Sequence, residues 1–359
     1  MQLLTFILTL STLVLVHEFG HFIMAKIFGM RVEEFGIGLP PRAKKLFSKG
    51  GTLFSLNWLP IGGFVKLFGE DMEDEAQVAS PEAFFNKPMW QRAGVLLAGV
   101  TMNFLMGIIL FGVVYSYMGI PTETDRVLII DIAKDSPAEA LGIEKESVAK
   151  KIEFESKEYT FTSLDEFVNT INELKGKEIL LTLEKGGVEK VVTITPRENP
   201  PVGEGSLGVA LSNIELVKFP WWQMPFRGAA VGVKEAISWG KEIAKNLGDL
   251  VGGIIAGKGV PKDVAGPVGI YQVSKEVYKI GWLAVLQFAG VLSVNLAILN
   301  IMPFPALDGG RIFFLGIEKI IGKKRKNRIE GYVHSAGMIF LLGLMVLITI
   351  RDVARLIWK

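Results

Sequence analysis

LLTFILTLSTLVLVHEFGHFIMAKIF, residues 3–28, decides what kind of protein this is. At 1.5 Å per residue the stretch is long enough to cross about 30 Å of hydrocarbon as a helix. Its apolar run is broken near its centre by His17, Glu18 and His21. A cleaved signal peptide would show a basic n-region, an oily h-region and a small-x-small cleavage site, and none of these is present. Each ionisable residue at mid-span costs roughly 2.5–3.5 kcal/mol on insertion scales. Three of them within five positions therefore need something that offsets the cost, and a divalent cation does so.

The three residues spell HExxH. Four helical residues advance about 400° and 6 Å, so both imidazoles share a face and can reach one zinc ion. Glu18 is rotated by about 100°, near the metal without being forced to bind it. That suits a carboxylate which takes a proton from an attacking water. Two imidazoles leave a catalytic zinc one protein ligand short. The chain has no cysteine and three histidines, so the third ligand is His334, an Asp or a Glu. Asp308 is the best candidate. It closes the run Asn300-Ile301-Met302-Pro303-Phe304-Pro305-Ala306-Leu307-Asp308-Gly309-Gly310, in which two prolines one residue apart must unwind the helix. Unwound backbone at membrane depth is tolerated when it is buried in protein or lines a wet cavity. His334 stands at the start of a further span and reads as an interfacial residue.

Three more stretches approximate spans: Ala93 to Met118, Trp282 to about Ile301, and Ser335 to Ile350. Composition agrees. Half of the 359 residues are apolar and 21% are charged, which indicates apolar and charged blocks in series. A net charge of +2 excludes a mainly electrostatic nucleic-acid binder. Six bases between Lys319 and Arg328 place the loop after the third span in the cytoplasm. By alternation the segment from Ala25 to Trp90 is cytoplasmic too, and Gly119 to about Val217 lies outside.

Between the spans, RVEEFGIG, RAKKLF, TLFSLNWL and GFVKLF are separated by Pro40-Pro41, Gly50-Gly51 and Pro60-Ile61-Gly62-Gly63. They read as a small antiparallel sheet whose hydrophobic turns dip into the membrane, followed by a solvated acidic loop from Glu70 to Glu75. The outer segment reads as an α/β module. It has a strand at Val127 to Ile132, helices opening at Ser136-Pro137 and at Ser163, and a hairpin around Gly186-Gly187. From Pro220 to Ile255, charges recur every turn or two beside Trp221, Trp222 and Trp239, so a helix along the outer membrane surface is expected. GxxxxGK at Gly252 to Lys258 is not a phosphate loop, because Gly259 replaces the magnesium-binding hydroxyl and no strand precedes it.

HExxH in the first span and NxxPxPxLDG after the third together resemble the site-2 protease family of intramembrane zinc metalloproteases, in particular its bacterial regulator-of-sigma-E protease group. PIGGFVKLFGE at Pro60 to Glu70 and GPVGI at Gly266 to Ile270 extend the likeness over nearly the whole chain. The resemblance implies an α-helical polytopic membrane protein with about four transmembrane helices, a membrane-associated antiparallel β-sheet and one inserted PDZ-like α/β domain. Its parts would be the first transmembrane helix (1–28), a cytoplasmic membrane-dipping sheet and loop (29–89), the second transmembrane helix (90–118), an extracytoplasmic PDZ-like domain (119–217), an interfacial amphipathic helix (218–262), the third transmembrane helix with its proline motif (263–310), and a basic cytoplasmic loop with the fourth transmembrane helix (311–359). Where PDZ domains of this kind usually read AGLKPGDxI, this chain reads LGIEKESVAKKI.

The likeness further implies one Zn2+ per chain held by His17, His21 and Asp308, with Glu18 as catalytic acid/base. Asn295 and Asn300 would contact substrate, and Gly62, Gly63, Phe64 and Val65 would form a β-hairpin edge facing it. Such an edge can receive an unwound transmembrane segment by strand addition and satisfy its stranded N–H and C=O groups. The implied partners are the lipid bilayer, membrane proteins with a transmembrane segment (an anti-sigma factor, or signal-peptide remnants) and an upstream protease that makes a first cut, with no nucleic acid. The implied location is the bacterial inner membrane, with the active site toward the cytoplasm. Two other classes remain in view. A non-catalytic scaffold holding client peptides has no need of Glu18. A metal transporter needs polar residues along its whole path, whereas the outer halves of the first and third spans are nearly all apolar.

Overall fold

The computed structural model describes residues 2–70, 80–257 and 266–357. Most of the acidic loop, Asp71 to Glu75, lies outside the described residues, as does Lys258. The chain forms two compact units, one of residues 1–116 with 225–359 and one of residues 117–224.

The first unit begins with α1 (Gln2–Ile27), followed by β1 (Val32–Lys49), β2 (Thr52–Leu67) and α2 (Met89–Met118). Thr9, Thr12 and Thr101, inside the spans, bond to their own helix four residues back, to Thr5 O, Leu8 O and Leu97 O, at 2.8–2.9 Å. This is how polar side chains are tolerated away from water. The four short runs of residues 31–68 fold as two long strands that double over. Residues 34–37 pair on one side with 63–66 and on the other with 53–56, which in turn pair with 44–48. The order across the sheet is thus 42–49, 52–57, 32–39, 63–67; the two outer pairings are antiparallel, the central one, in which 34–37 meet 53–56 in rising register, is parallel, and 63–67 is an outer edge. Leu39, Phe47, Trp58, Leu59 and Ile61 are exposed, an apolar patch of the kind that marks a membrane contact.

Glu34, near the centre of this sheet, is buried and ion-paired with Arg42. Burial opposes its ionisation, but the hydrogen bonds and charge of Arg42 outweigh that and hold the carboxyl below its ordinary range. A depressed carboxyl contributes stability above its unfolded value, near pH 4.3, and loses it as pH falls through the folded value. Glu34→Gln is therefore expected to destabilise the protein by about 1–2 kcal/mol at pH 7. In thermal melts of wild type and variant in detergent, the difference should vanish in acid. A gap that persists undiminished below the folded value would exclude the ion pair as its source.

The second unit contains β3 (Ile120–Ile132), α3 (Pro137–Ala140), β4 (Val148–Phe154), β5 (Lys157–Thr160), α4 (Leu164–Glu173), β6 (Ile179–Lys185), β7 (Val188–Ile194) and β8 (Val209–Val217). The sheet runs β7-β6-β4-β3-β8 with β5 on β4, and every pairing is antiparallel. Both helices start with Ser-x-x-Glu. Ser136 and Ser163 accept the N–H three residues on, and Glu139 and Glu166 reach back to the N–H of Asp135 and Thr162. Reciprocal capping of this kind fixes where each helix begins. Ile152, Leu181 and Phe167 fill the core between sheet and helices.

The first unit resumes with α5 (Met224–Ile255), α6 (Pro267–Ile280), α7 (Trp282–Ile301), α8 (Asp308–Ile321) and α9 (Lys323–Ile357). Among the described residues, four helices are long and apolar enough to cross a membrane: Gln2–Ile27, Met89–Met118, Trp282–Ile301 and Ile329–Arg355. The sequence reading laid the segment of α5 along the membrane surface. In the structure α5 packs lengthwise on α2 through Gly228 and Gly232, where an added Cβ would come within 2.1–2.8 Å of Ser116, Gly112 and Ile108. Ala236 continues that seam, buried with Phe111 and Val294. Small residues four apart let two helix backbones approach this closely, while Arg227, Lys234, Lys241, Glu242 and Lys245 are exposed on the other faces. The third span expected at Trp282 to about Ile301 is α7; the wider segment assigned to it, 263–310, also holds α6, which Gly281 (φ 133°) separates from α7. The basic run after it is no open loop: Gly322 alone joins α8 to α9, and Lys326 is buried against Glu330 and Glu318.

Candidate metal centre

His17 and His21 lie one turn apart on α1, and both are buried. Their Nε2 atoms are 3.0 Å apart. Asp308, the first residue of α8, places Oδ2 3.0 Å from His17 Nε2 and 3.3 Å from His21 Nε2. Among the described residues this is the one group of three metal-binding side chains found together. The third span ends at Ile301 and helix resumes at Asp308, so the proline break is what delivers the carboxylate to the imidazoles. Gly309 must follow it, because a Cβ there would sit 2.2 Å from the carbonyl oxygens of Ile301 and Met302.

The three atoms fit a zinc ion by chemistry and by spacing. His21 Nδ1 lies 2.8 Å from the Val95 carbonyl, which can only accept, so the neutral ring offers a lone pair at Nε2. Asp308 Oδ2 is buried without a hydrogen-bond donor. Acceptors converging in this way are stabilised by a cation between them. Tetrahedral zinc with bonds of about 2.0–2.1 Å puts neighbouring donor atoms about 3.3–3.4 Å apart, close to the observed 3.0, 3.0 and 3.3 Å.

One face of α2 backs the imidazoles. Val95, Gly99 and Asn103 follow at four-residue intervals. Val95 holds His21, and the fully buried Asn103 brings its amide within 3.4 Å of His17 Nδ1. Partners on the far ring nitrogen orient a ligating histidine. Gly99 lies between them, flat against both rings. In the sequence, Asn103 stands as a polar residue within the apolar stretch Ala93 to Met118, the one sign of this arrangement. Val95 acts through its backbone and Gly99 through its lack of a side chain, so neither was legible.

Glu18 faces the sheet. Its Oε2 accepts the Val65 N–H at 3.0 Å, which fixes the carboxylate beside the outer edge formed by residues 63–67. That edge is pinned to α1 by Ser11, which donates to Pro60 O at 3.0 Å and accepts from Gly62 N–H at 3.3 Å. Glu18, both histidines and Asp308 open on a cavity of about 490 Å³, lined also by Phe64, Val65, Asn300 and Arg311. Of the other predicted residues, Gly62 and Gly63 sit behind this wall, against Val14 and Leu15. Asn295 is not among the lining residues; five helical positions rotate it about 140° from Asn300. His334 is not with the metal-binding group either. Its Nδ1 accepts the Ala306 N–H at 2.9 Å. Arg311, which pairs with Glu70, was not anticipated.

A sequence profile of peptidase family M50 matches residues 5–344. The chain is 32% identical to a candidate zinc metalloprotease of Clostridium acetobutylicum, over 97% of this chain and 96% of that protein. It is 28% identical to the zinc metalloprotease RasP of Oceanobacillus iheyensis, over 98% of both chains. It is also 28% identical to the RasP of Geobacillus kaustophilus, over 99% of this chain and 98% of that one.

Proposed function

The chain belongs to peptidase family M50, the site-2 proteases, and is a zinc metalloprotease of the membrane; on that premise we propose that it is an endopeptidase that cuts the transmembrane segments of single-pass membrane proteins. His17, His21 and Asp308 hold the ion, and Glu18 is the acid/base. The observation that carries this reading is the triangle of three buried acceptors 3.0–3.3 Å apart, set among apolar helices and opening on a cavity walled by a strand edge.

Zinc, when bound, supplies a Lewis acid that polarises the scissile carbonyl and acidifies the attacking water. Glu18 takes the proton of that water and returns it to the leaving amine. The edge at Phe64 and Val65 answers the difficulty of a membrane substrate. A transmembrane helix hides its peptide bonds, and unwinding it in lipid strands polar groups at several kcal/mol each. Strand addition to this edge satisfies them and lays the peptide beside Glu18. Asn300, on the cavity wall, hydrogen-bonds the substrate backbone or the developing oxyanion, and Asn295 and the Gly62-Gly63 turn support that binding surface.

Substrates of this kind include an anti-sigma factor or signal-peptide remnants, cut in the cytoplasmic half of the span after an upstream protease has removed the external domain. The unit of residues 117–224 is read as a PDZ-like module on the outer side of a bacterial inner membrane, acting as a size filter. Its antiparallel sheet with two short capped helices is compatible with that reading. The test is cleavage of a single-pass reporter by the full-length protein in liposomes, with the cut mapped by mass spectrometry. Cleavage is expected within the segment. Cuts confined to water-exposed loops would reject the intramembrane assignment.

A further inference from the structure

The third histidine of the chain takes no part in the chemistry above, yet it holds the loop that carries Asp308. His334 lies on α9 and accepts the Ala306 backbone N–H at 2.9 Å. An N–H donor at Nδ1 requires that nitrogen to be unprotonated, so Nε2 bears the hydrogen. Glu330 Oε1, one turn earlier and 3.7 Å from Nε2, favours the same tautomer. One turn later, Gly337 meets Pro305 so closely that a Cβ there would sit 2.3 Å from the proline Cβ. Residues 334 and 337 share one helix face, and that face grips residues 305–306. The helix is otherwise held near its ends, by Lys326 against Glu318 and by Asp352, which accepts the N–H groups of Gly266 and Gly269; 6% of its apolar window is buried, against 50% in the second span.

Ala306 needs such a grip. Its φ is 75°, a left-handed conformation in which the alanine Cβ crowds the following carbonyl. A residue of this kind persists when its surroundings over-determine it. Two residues later the chain reaches Asp308, so relaxation of Ala306 to negative φ would turn that carboxylate away from the imidazoles.

From these contacts we infer that His334 is a positioning residue, whose acceptor nitrogen locks Ala306 in the left-handed conformation that aims Asp308 at His17 and His21. The inference rests on the reading of Asp308 as the third ligand. Glycine adopts positive φ freely, which gives the test its rescue arm. Zinc affinity of the full-length protein in detergent is measured by competition with a chromophoric chelator for wild type, His334→Leu, His334→Asn, Ala306→Gly, His334→Leu with Ala306→Gly, and Asp308→Ala. His334→Leu should lose roughly 10–100-fold in affinity, the range seen when an outer partner of a metal site is removed. His334→Asn keeps an acceptor near the Nδ1 position and should stay within about threefold of wild type. The double variant should recover to within about threefold of Ala306→Gly alone. Wild-type affinity in His334→Leu, or a double variant as weak as His334→Leu, would overturn the inference, because a general loss of packing gains nothing from glycine at 306. If the leucine variant cannot be purified, a tenfold loss in His334→Asn overturns it instead. Asp308→Ala separates the two levels: zinc binding unchanged there removes the ligand reading itself, whereas zinc lost there but kept in His334→Leu removes only the role of His334.

Discussion

Glu18→Gln is expected to cut cleavage of a transmembrane reporter by roughly 10²–10⁴-fold, the range for loss of a general acid/base, while zinc stays bound at one ion per chain. The separation of effects follows from the geometry. Glu18 is not one of the three metal-binding groups that lie together; its carboxylate accepts the Val65 N–H at 3.0 Å. A glutamine of the same length keeps that hydrogen bond through its carbonyl oxygen, so the strand edge and α1 hold their places. What it loses is a lone pair basic enough to take a proton from water. Reporter turnover and zinc content by elemental analysis, measured on the same preparation, check both halves. Turnover within tenfold of wild type with zinc retained would remove Glu18 from the reaction. Loss of zinc along with activity would mean that the carboxylate supports the metal site instead.

The parts of this molecule legible in sequence are those set by local periodicity and local breaks. A four-residue spacing in a helix puts His17 and His21 together whatever else the chain does, and Pro303 and Pro305 end a helix wherever they stand. The punctuation of residues 31–68 likewise gave four strand segments at the right places. It could not say that they double over so that 63–67 becomes an edge, because pairing order depends on register across space. The packing of α5 was not legible for a similar reason. Charge spacing on α5 suggested a surface helix, whereas Gly228, Gly232 and Ala236 decide its packing by what they lack. A glycine seam and a polar face coexist on one helix, and composition alone does not say which face meets a neighbour.

The same reasoning, that absent atoms shape the site, yields the second large effect: Gly99→Val should lower zinc affinity about a hundredfold. A Cβ at Gly99 would lie 2.5 Å from His21 Nε2, 2.6 Å from His21 Cε1 and 2.7 Å from His17 Cε1. Contacts this short force a displacement, and overpacking a tight site costs typically 1–3 kcal/mol; 1.36 kcal/mol is tenfold in affinity. The rings cannot easily yield. His21 is tethered to Val95 on the same helix that carries Gly99. The helices cannot separate to make room either, because Gly20 of α1 already rests against the Ala98 carbonyl, with a Cβ there only 2.4 Å from the oxygen. The strain therefore falls on the imidazoles. Gly248→Ala in α5 is the control, since a Cβ there meets nothing within 4 Å and alanine favours helix by about 1 kcal/mol. Chelator competition on both variants, with thermal melts to show that each is folded, gives the comparison. If a folded Gly99→Val protein binds zinc as tightly as Gly248→Ala, the imidazoles have room to move, and the close backing of the metal site by α2 does not constrain it.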